Sequence, residues 1–357
     1  MKKLNLIWII LLLWGIAGGC ARQQTVATSL GTLRVDVVVA QDGTGDCTAL
    51  QAAIDMAPDS SDARFVIYVK NGLYDAEKLL VNERKTGLVI IGENREKTVI
   101  SYHMHDCATS PVGRCPLESW ELWKNEPMKV RTSATLTVQA SDVHIENLTL
   151  QNTAGPVGQA QALTAMGDRL VVVNCILASY QDTLYLWTAG ARAYFKDCLI
   201  IGRTDYIYGA YTALFEGCEI RSWGGGWVTA PATREEQAFG FVFDGCRFTY
   251  ATDSPRPGDD GRTVAIGRPW HYFPKVTIIR SEMCAEMDSL GWPTIWNMPY
   301  APTDTRLALY EYANTGAGAD MSRRNDWVAL RALTDDEAQH YNKQEILGGR
   351  DGWNPLP

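Results

Sequence analysis

The sequence predicts an all-β solenoid in which short parallel strands stack on one another as successive coils. β-Rich runs such as RFVIYV, GLVIIG and ATLTV recur roughly every 20 to 30 residues, with turns between them. A repeat of this length is typical of solenoids and other stacked arrays. Helical periodicity is almost confined to residues 48–56, and cysteines occupy the same place in four of the β-rich runs. Together these observations favour a stacked solenoid over a β-sandwich.

Composition and charge exclude some classes of partner. The 357 residues are 46% hydrophobic and 21% charged, which is an ordinary balance for a globular protein. Lys and Arg number 33 against 41 Asp and Glu, so the formal net charge is -8, and there is no basic run. This pattern argues against nucleic acid or an anionic membrane surface as the partner.

The N-terminus is predicted to be a targeting segment. Lys2 and Lys3 precede an apolar run at residues 6–17, and small residues then lead to Cys20. This arrangement resembles a bacterial lipoprotein signal with Cys20 as the lipidated residue, and the alternative is an ordinary secretory signal cut nearby. Either way we expect export from the cell, with a membrane anchor if Cys20 is lipidated. We therefore predict a signal at 1–20, a tether at 21–33 and one domain at 34–357.

One short helix is expected near the start of this domain. Residues 48–56, TALQAAIDM, have apolar side chains at helical spacing and follow the Gly-rich turn DGTGD. The β-rich runs follow this helix to about residue 280.

Four of these runs carry a cysteine at the same place. The cysteines recur once in each successive run: Cys175, Cys198, Cys218 and Cys246. A ladder of cysteines in a stack is explained by core filling, because Cys behaves as a small buried hydrophobe. We expect that role for Cys175 and Cys246. Two disulfides remain candidates in an oxidising compartment, between Cys198 and Cys218 and between Cys107 and Cys115.

Aligning the first two coils on their cysteines brings two aspartates into register. Asp182 and Asp205 each lie seven residues after the cysteine, and Tyr185 and Tyr208 each lie ten after it. In a parallel stack such pairs are about 4.8 Å apart along the backbone. Two carboxylates this close titrate as a coupled pair, one ionised and one protonated, which divides them into nucleophile and general acid. The alternative is that both aspartates cap turns.

Motifs spread over nearly the whole chain carry a family resemblance. They include DGTGDCTALQAAID, GQAQAL, SYQDTLY, GRTDYIYG, IGRPW, GWPTIW and YEYANTGAGA, in this order. The chain resembles the pectin methylesterases, carbohydrate esterases with a right-handed parallel β-helix of the pectin-lyase-like type. The resemblance implies that a C-terminal segment packs back on the helix. It also implies that residues 34–357 hydrolyse the methyl esters of pectin to pectate and methanol.

The resemblance also implies a role for each matching residue. Asp205 matches the nucleophile, Asp182 the general acid and base, and Arg268 the guanidinium that holds Asp205 and keeps its pKa low. Gln159 and Gln181 match the amides that stabilise the oxyanion. The predicted substrate contacts are Tyr185, Tyr208, Trp270 and Thr204. No metal and no cofactor are called for, pectin is the implied partner, and we expect a monomer.

The sequence departs from the family pattern at several positions near these residues. Members commonly have Phe where Tyr206 and Tyr208 stand, and an apolar residue where Gln161 stands. Arg203 and Thr204 replace Thr-Val, and Gly158 replaces a His that often precedes the first Gln. The five catalytic matches are intact, so the departures bear on substrate preference.

Two other functions share parts of this pattern. A retaining glycoside hydrolase on the same kind of β-helix also uses paired carboxylates about 5 Å apart. A non-catalytic polysaccharide-binding protein could keep the fold alone. The two Gln residues and the Arg beside Asp205 favour acyl chemistry over glycoside hydrolysis, and the presence of both aspartates argues against a purely binding role.

Overall fold

The computed structural model describes residues 24–106, 133–254 and 263–356, which form a parallel β-helix. The predicted all-β solenoid is confirmed. The strands and helices have these bounds: β1 Thr25–Thr28, β2 Gly31–Arg34, β3 Val37–Val39, α1 Leu50–Met56, β4 Phe65–Val69, β5 Gly72–Tyr74, β6 Leu79–Val81, β7 Leu88–Gly92, β8 Thr98–Tyr102, β9 Leu136–Val138, β10 His144–Glu146, β11 Thr149–Asn152, β12 Leu163–Ala165, β13 Leu170–Val173, β14 Ile176–Ala178, β15 Leu184–Leu186, β16 Arg192–Lys196, β17 Leu199–Gly209, β18 Thr212–Glu216, β19 Glu219–Pro231, β20 Phe241–Asp244, β21 Arg247–Ala251, β22 Val264–Gly267, β23 Lys275–Ile279, β24 Glu282–Met283, β25 Ala308–Tyr312, β26 Leu330–Ala332, α2 Asp335–Ala338 and α3 Lys343–Leu347.

Each coil contributes strands to two long sheets. The first sheet runs in chain order from β3 through β4, β7, β10, β13, β16, β18, β20, β23 and β25 to β26, and its neighbouring strands are parallel. The second sheet contains the remaining strands of the coils, and β17 and β19 are long enough to continue through the corner where shorter strands are separate.

The register between coils is the one that the cysteine ladder predicts. Ile176 pairs with Leu199, Leu199 with Glu219, and Glu219 with Arg247, and each of these four residues directly follows a cysteine of the ladder. Farther along the coil, β15 and β17 keep the register set by the first two cysteines, since Tyr185 pairs with Tyr208. The register then shifts between β17 and β19 through two irregularities.

The cysteine ladder fills the core without a disulfide. Cys175, Cys198, Cys218 and Cys246 are buried and free, so the candidate bridge between Cys198 and Cys218 is not formed. The physical reason is that each thiol points into the core and lies within hydrogen-bonding distance of carbonyls, for Cys198 those of Val172 and Lys196 at 3.4 Å. Burial raises the pKa of both thiols well above the ordinary value, which removes the reactive thiolate.

An aromatic ladder runs beside the cysteines on the first sheet. Phe195, Phe215 and Phe243 occupy successive coils and stack with ring centroids 4.8 and 4.6 Å apart. All three are fully buried. Burial of each such side chain contributes about 1.5–3 kcal/mol, and equivalent positions in each coil repeat that contribution along the stack.

The structure corrects the predicted boundary of the tether. Within residues 21–33, the described part from residue 24 onward belongs to an antiparallel hairpin of β1 and β2. Val26 and Leu33 pack against apolar residues of the first sheet, and the Ser29 amide and hydroxyl donate to the Glu146 carboxylate. The hairpin is therefore part of the folded unit.

Two predicted features lie outside the described residues. These are the signal at 1–20 with Cys20, and the candidate pair Cys107 and Cys115. No helix in 24–106, 133–254 or 263–356 is long and apolar enough to cross a membrane.

The predicted helix is present as α1, two residues shorter at its start than the periodic stretch. Leu50, Ala53 and Ile54 are its buried residues and pack into the main core. At the other end, the chain after β25 folds back on the stack, as the resemblance implied. Arg324 is buried there and donates to Glu311 at 2.7 and 3.1 Å and to the carbonyls of Asp288 and Ser289 at 3.2 Å.

We predict that Arg324→Met destabilises the protein by about 3–5 kcal/mol, because it leaves the Glu311 carboxylate buried without its partner. Arg331→Met is a matched control, since the Arg331–Glu337 pair in the same segment is about 40% exposed and such pairs contribute only about 0.2–1 kcal/mol. Urea unfolding measures both free energies. Equal losses in the two variants would contradict the role given to Arg324.

Candidate active site

The two aspartates lie side by side on adjacent coils. Gln181 bridges to Thr204, and two residues after Asp182 the pairing of Leu184 with Ile207 continues the same register. The Asp182 amide donates to the Thr204 carbonyl at 3.0 Å. Both aspartates are more than nine-tenths buried. Their equal spacing from the two cysteines thus produces the neighbouring pair that the sequence predicts.

Both aspartates have a left-handed backbone conformation. The φ angles are 65° at Asp182 and 50° at Asp205. This region is uncommon for residues other than Gly, although Asp and Asn occupy it more readily than others. Such conformations persist where the surrounding structure fixes them, and they cluster at functional sites. Here the same turn occurs at equivalent positions of two coils.

Arg268 holds Asp205 in a bidentate ion pair. Its Nε donates to Oδ1 at 2.8 Å and its Nη2 donates to Oδ2 at 2.5 Å. The guanidinium carbon also lies over two indole rings, 4.4 Å from the centroid of Trp227 and 3.8 Å from that of Trp296. Contact with two aromatic rings restricts the guanidinium and adds cation–π attraction. The sequence motif GWPTIW contains Trp296, but no sequence argument assigned it this contact.

The electrostatic environment separates the two carboxyl groups. Burial raises the pKa of Asp205, while the hydrogen bonds and charge of Arg268 oppose that rise. Burial and then the charge of Asp205 raise the pKa of Asp182 well above its ordinary value, against smaller opposing effects of Tyr208, Arg268 and Gln181. These effects favour ionisation of Asp205 before Asp182. The expectation that Arg268 holds the pKa of Asp205 low is too simple, because burial outweighs it.

The predicted oxyanion amides come from neighbouring coils. The Ala160 amide donates to the Gln181 carbonyl at 3.0 Å, which places Gln159 and Gln181 in adjacent rungs. Both residues are half-buried, and the Gln181 side chain hydrogen-bonds to Asp182. Thr204, predicted to contact substrate, is also half-buried, and its hydroxyl accepts from Arg203 at 3.3 Å.

The predicted sugar-binding aromatics divide into two kinds. Tyr185 and Trp270 are partly exposed, with ring centroids 6.5 Å apart. Tyr208 is only 6% exposed and lies under Tyr185, with centroids 4.1 Å apart and planes 10° from parallel. Tyr185 covers one face of the Tyr208 ring, so little of Tyr208 is open to a sugar, and its predicted substrate contact stays a prediction. Its hydroxyl accepts from Gln161 at 2.9 Å and interacts electrostatically with the Asp182 carboxyl.

An open cleft of about 330 Å³ begins at these aromatics. Its lining includes Tyr185, Trp187, Trp270, Arg234 and Tyr272. Trp187 and Tyr272 are large exposed side chains, and the Arg234 guanidinium stacks on Tyr272 at 3.7 Å. Sequence reasoning assigned no role to Trp187, Arg234 or Tyr272, although Trp187 directly follows the motif SYQDTLY.

A larger cavity of about 570 Å³ lies against the first sheet and the C-terminal residues. Its lining includes His144, Arg169 and Trp353, and it contains none of the predicted site residues. The smaller, aromatic cleft is the one whose lining includes predicted site residues, Tyr185 and Trp270.

The site can perform acyl transfer. Asp205 bound to Arg268 is the candidate nucleophile, Asp182 is the candidate proton donor, and the half-buried Gln181 amide interacts with Asp182. Amide donors of this kind stabilise the oxyanion of a tetrahedral intermediate.

Comparison with known proteins agrees with this geometry. The Pectinesterase family model matches residues 36–112 and 120–350. A probable pectinesterase/pectinesterase inhibitor of Arabidopsis thaliana is 30% identical over 337 residues, covering 92% of this chain and 51% of that protein. The chain therefore spans about half the length of the curated relatives it matches.

Solved structures extend the agreement to the fold. Pectin methylesterase from carrot superposes with a TM-score of 0.76 and 28% identity, covering 89% of this chain and 94% of that one. A pectin methylesterase in complex with a hexasaccharide gives a TM-score of 0.69 and 27% identity, covering 90% and 99%. These neighbours are right-handed parallel β-helices, so the predicted hand is confirmed. The chain belongs to the pectinesterase family.

Proposed function

We propose that this chain hydrolyses the methyl esters of pectin, releasing methanol and leaving pectate. The observation that carries the proposal is the pairing of Asp205, bound by Arg268 through two hydrogen bonds, with the neighbouring Asp182, whose environment keeps its proton. Membership of the pectinesterase family supports it, as does the oligosaccharide bound to one structural neighbour. The partly exposed aromatics of the cleft offer flat surfaces for sugar rings.

In the first half-reaction, an Asp205 oxygen attacks the carbonyl carbon of the methyl ester. The carbonyl oxygen becomes an oxyanion, which the amides of Gln159 and Gln181 stabilise. Loss of one such donor typically costs ~2.7–4 kcal/mol of transition-state stabilisation. The intermediate then collapses, the carbon–methoxy bond breaks, and Asp182 gives its proton to the departing oxygen. The products are methanol, an ionised Asp182 and an anhydride between Asp205 and the sugar acid.

In the second half-reaction, water replaces methanol. Asp182 takes a proton from the water as its oxygen attacks the sugar acyl carbon. Collapse of this second intermediate breaks the bond to Asp205, which leaves as a carboxylate and returns to Arg268. The enzyme then has Asp205 ionised and Asp182 protonated, as before the cycle.

We also propose that the mature chain is exported as a lipoprotein anchored through Cys20, and that it acts as a monomer. The anchor is supported by Lys2 and Lys3, the apolar run at 6–17 and the small residues before Cys20. The monomer is supported by the fact that one chain supplies both aspartates, the arginine and the two amides.

Replacing the nucleophile tests the proposed chemistry. Asp205→Asn removes the ionised oxygen and is expected to lower methanol release from methylated pectin by at least ~10³-fold. Asp197→Asn is a matched control, because Asp197 has the same left-handed backbone at φ 52° on the preceding turn and is exposed. Circular dichroism checks the fold of both variants. Full activity in Asp205→Asn, or reducing ends released without methanol by the wild type, would contradict the proposal.

The role of Arg268 predicts a pH shift. Arg268 favours the ionised form of Asp205, so Arg268→Met raises the pKa of Asp205, and activity that needs the carboxylate is lost at a higher pH. The acidic limb of kcat/KM for methanol release should move up by about one to two pH units. Arg221→Met, which removes a surface partner of Glu219, should leave it in place. An unshifted acidic limb in Arg268→Met would show that the ion pair with Arg268 does not lower the pKa of Asp205.

The anchor is tested by labelling with a fatty acid. Expressed from its own signal in a bacterial host, the wild type should take up the label and Cys20→Ala should not. Cys47→Ala should keep the label, because Cys47 lies within the folded domain. Absence of label from the wild type, or its survival in Cys20→Ala, would refute the anchor.

A further inference from the structure

A buried chain of polar side chains ends at Asp182. It runs from Ser133 through Gln161 to Tyr208, and Gln161 and Tyr208 are 5% and 6% exposed. These two positions both depart from the pattern of the family, where an apolar residue and Phe are common. The two departures contact each other, since the Gln161 amide nitrogen donates to the Tyr208 hydroxyl at 2.9 Å.

The backbone of Ser133 determines the direction of this chain. Its N–H donates to Oε1 of Gln161 at 3.0 Å, and its hydroxyl lies 2.7 Å from the same oxygen. A backbone N–H can only donate, so the oxygen of the Gln161 amide must face Ser133. The Nε2 group must then face Tyr208 and donate to it.

Tyr208 is therefore oriented as a donor toward Asp182. Its oxygen accepts from Gln161, which leaves its own hydrogen for the Asp182 carboxyl. A hydrogen bond to a carboxyl group favours the ionised form. The other groups that act on Asp182 are the Asp205 carboxylate, which opposes ionisation, and Arg268 and the Gln181 amide, which support it. Tyr185 also faces Asp182, and burial keeps its phenol protonated.

We propose that Gln161 and Tyr208 are positioning residues that stabilise the carboxylate of Asp182 once it has given its proton to the departing methanol. The proposal rests on the proposed esterase function. Asp182 is buried, so its new charge has little access to water, and an oriented hydroxyl supplies a fixed dipole in place of water. Asp182 is then held as the base that the second half-reaction requires.

The test replaces Tyr208 by Phe, which keeps the ring that stacks under Tyr185 and removes the hydroxyl. Loss of the donor makes Asp182 harder to ionise, so the alkaline limb of kcat/KM should move up by about one pH unit. Gln161→Met should shift it in the same direction by less, because Tyr208 remains but is no longer oriented. Added to Tyr208→Phe, Gln161→Met should cause no further shift, since it acts through the hydroxyl.

Tyr206→Phe is the matched control. Tyr206 lies on the same strand and is fully buried, but its hydroxyl hydrogen-bonds to Ser222 at 2.8 Å. The variant loses a buried hydrogen bond and should leave the alkaline limb unchanged. If Tyr206→Phe and Tyr208→Phe shift the limb equally, a general structural effect explains both and the proposal is overturned.

A second measurement does not depend on activity. The infrared band of the protonated Asp182 carboxyl is obtained as the difference between each protein and its Asp182→Asn counterpart, and is followed against pH. We expect the midpoint to rise by about one unit in Tyr208→Phe. An unchanged midpoint overturns the positioning role even if the wild type is active on pectin. If the wild type releases no methanol while Tyr208→Phe still raises the midpoint, the esterase function is refuted and the positioning role is not.

Discussion

The stacking register between two coils is the constraint on which the site depends. Because β15 and β17 pair with Tyr185 opposite Tyr208, the two tyrosines become neighbours, and so do Asp182 and Asp205. Side chains alternate along a strand, so a slip of one residue would turn each of these groups to the opposite face. The buried cysteines and stacked phenylalanines of the same coils oppose such a slip, since it would carry them out of the core. Core packing thereby sets the geometry of the chemistry.

The two carboxyl groups share one pocket but have different partners. Burial disfavours the charge on both, and only Asp205 has an arginine bound through two hydrogen bonds. Trp227 and Trp296 both pack against the guanidinium of that arginine. Asp182 has neutral partners, the Gln181 amide and the Tyr208 hydroxyl, which stabilise a charge without supplying one. A charged partner for Asp205 and neutral donors for Asp182 thus distinguish the proposed nucleophile from the proposed acid.

The sequence predicted the contacts between residues that occupy the same position in successive coils. The cysteine spacing predicted the register and the aspartate pair, because equivalent residues of a solenoid recur at the coil length. The contacts that it missed join residues outside this repeat. Trp296 reaches Arg268 from the irregular chain after β24, and Gln161 meets Tyr208 from a different coil. The absent Cys198–Cys218 bridge and the covered ring of Tyr208 depend on side-chain direction and burial, which spacing does not specify.

The central claim is that the free enzyme holds one proton on Asp182 and none on Asp205. Neutron diffraction from crystals of the wild type in deuterated solvent, at the pH of greatest activity, locates that proton directly. We expect deuterium on the Asp182 carboxyl, none on Asp205, and the Tyr208 hydroxyl deuterium directed at Asp182. Deuterium on Asp205, or on neither aspartate, would contradict this claim.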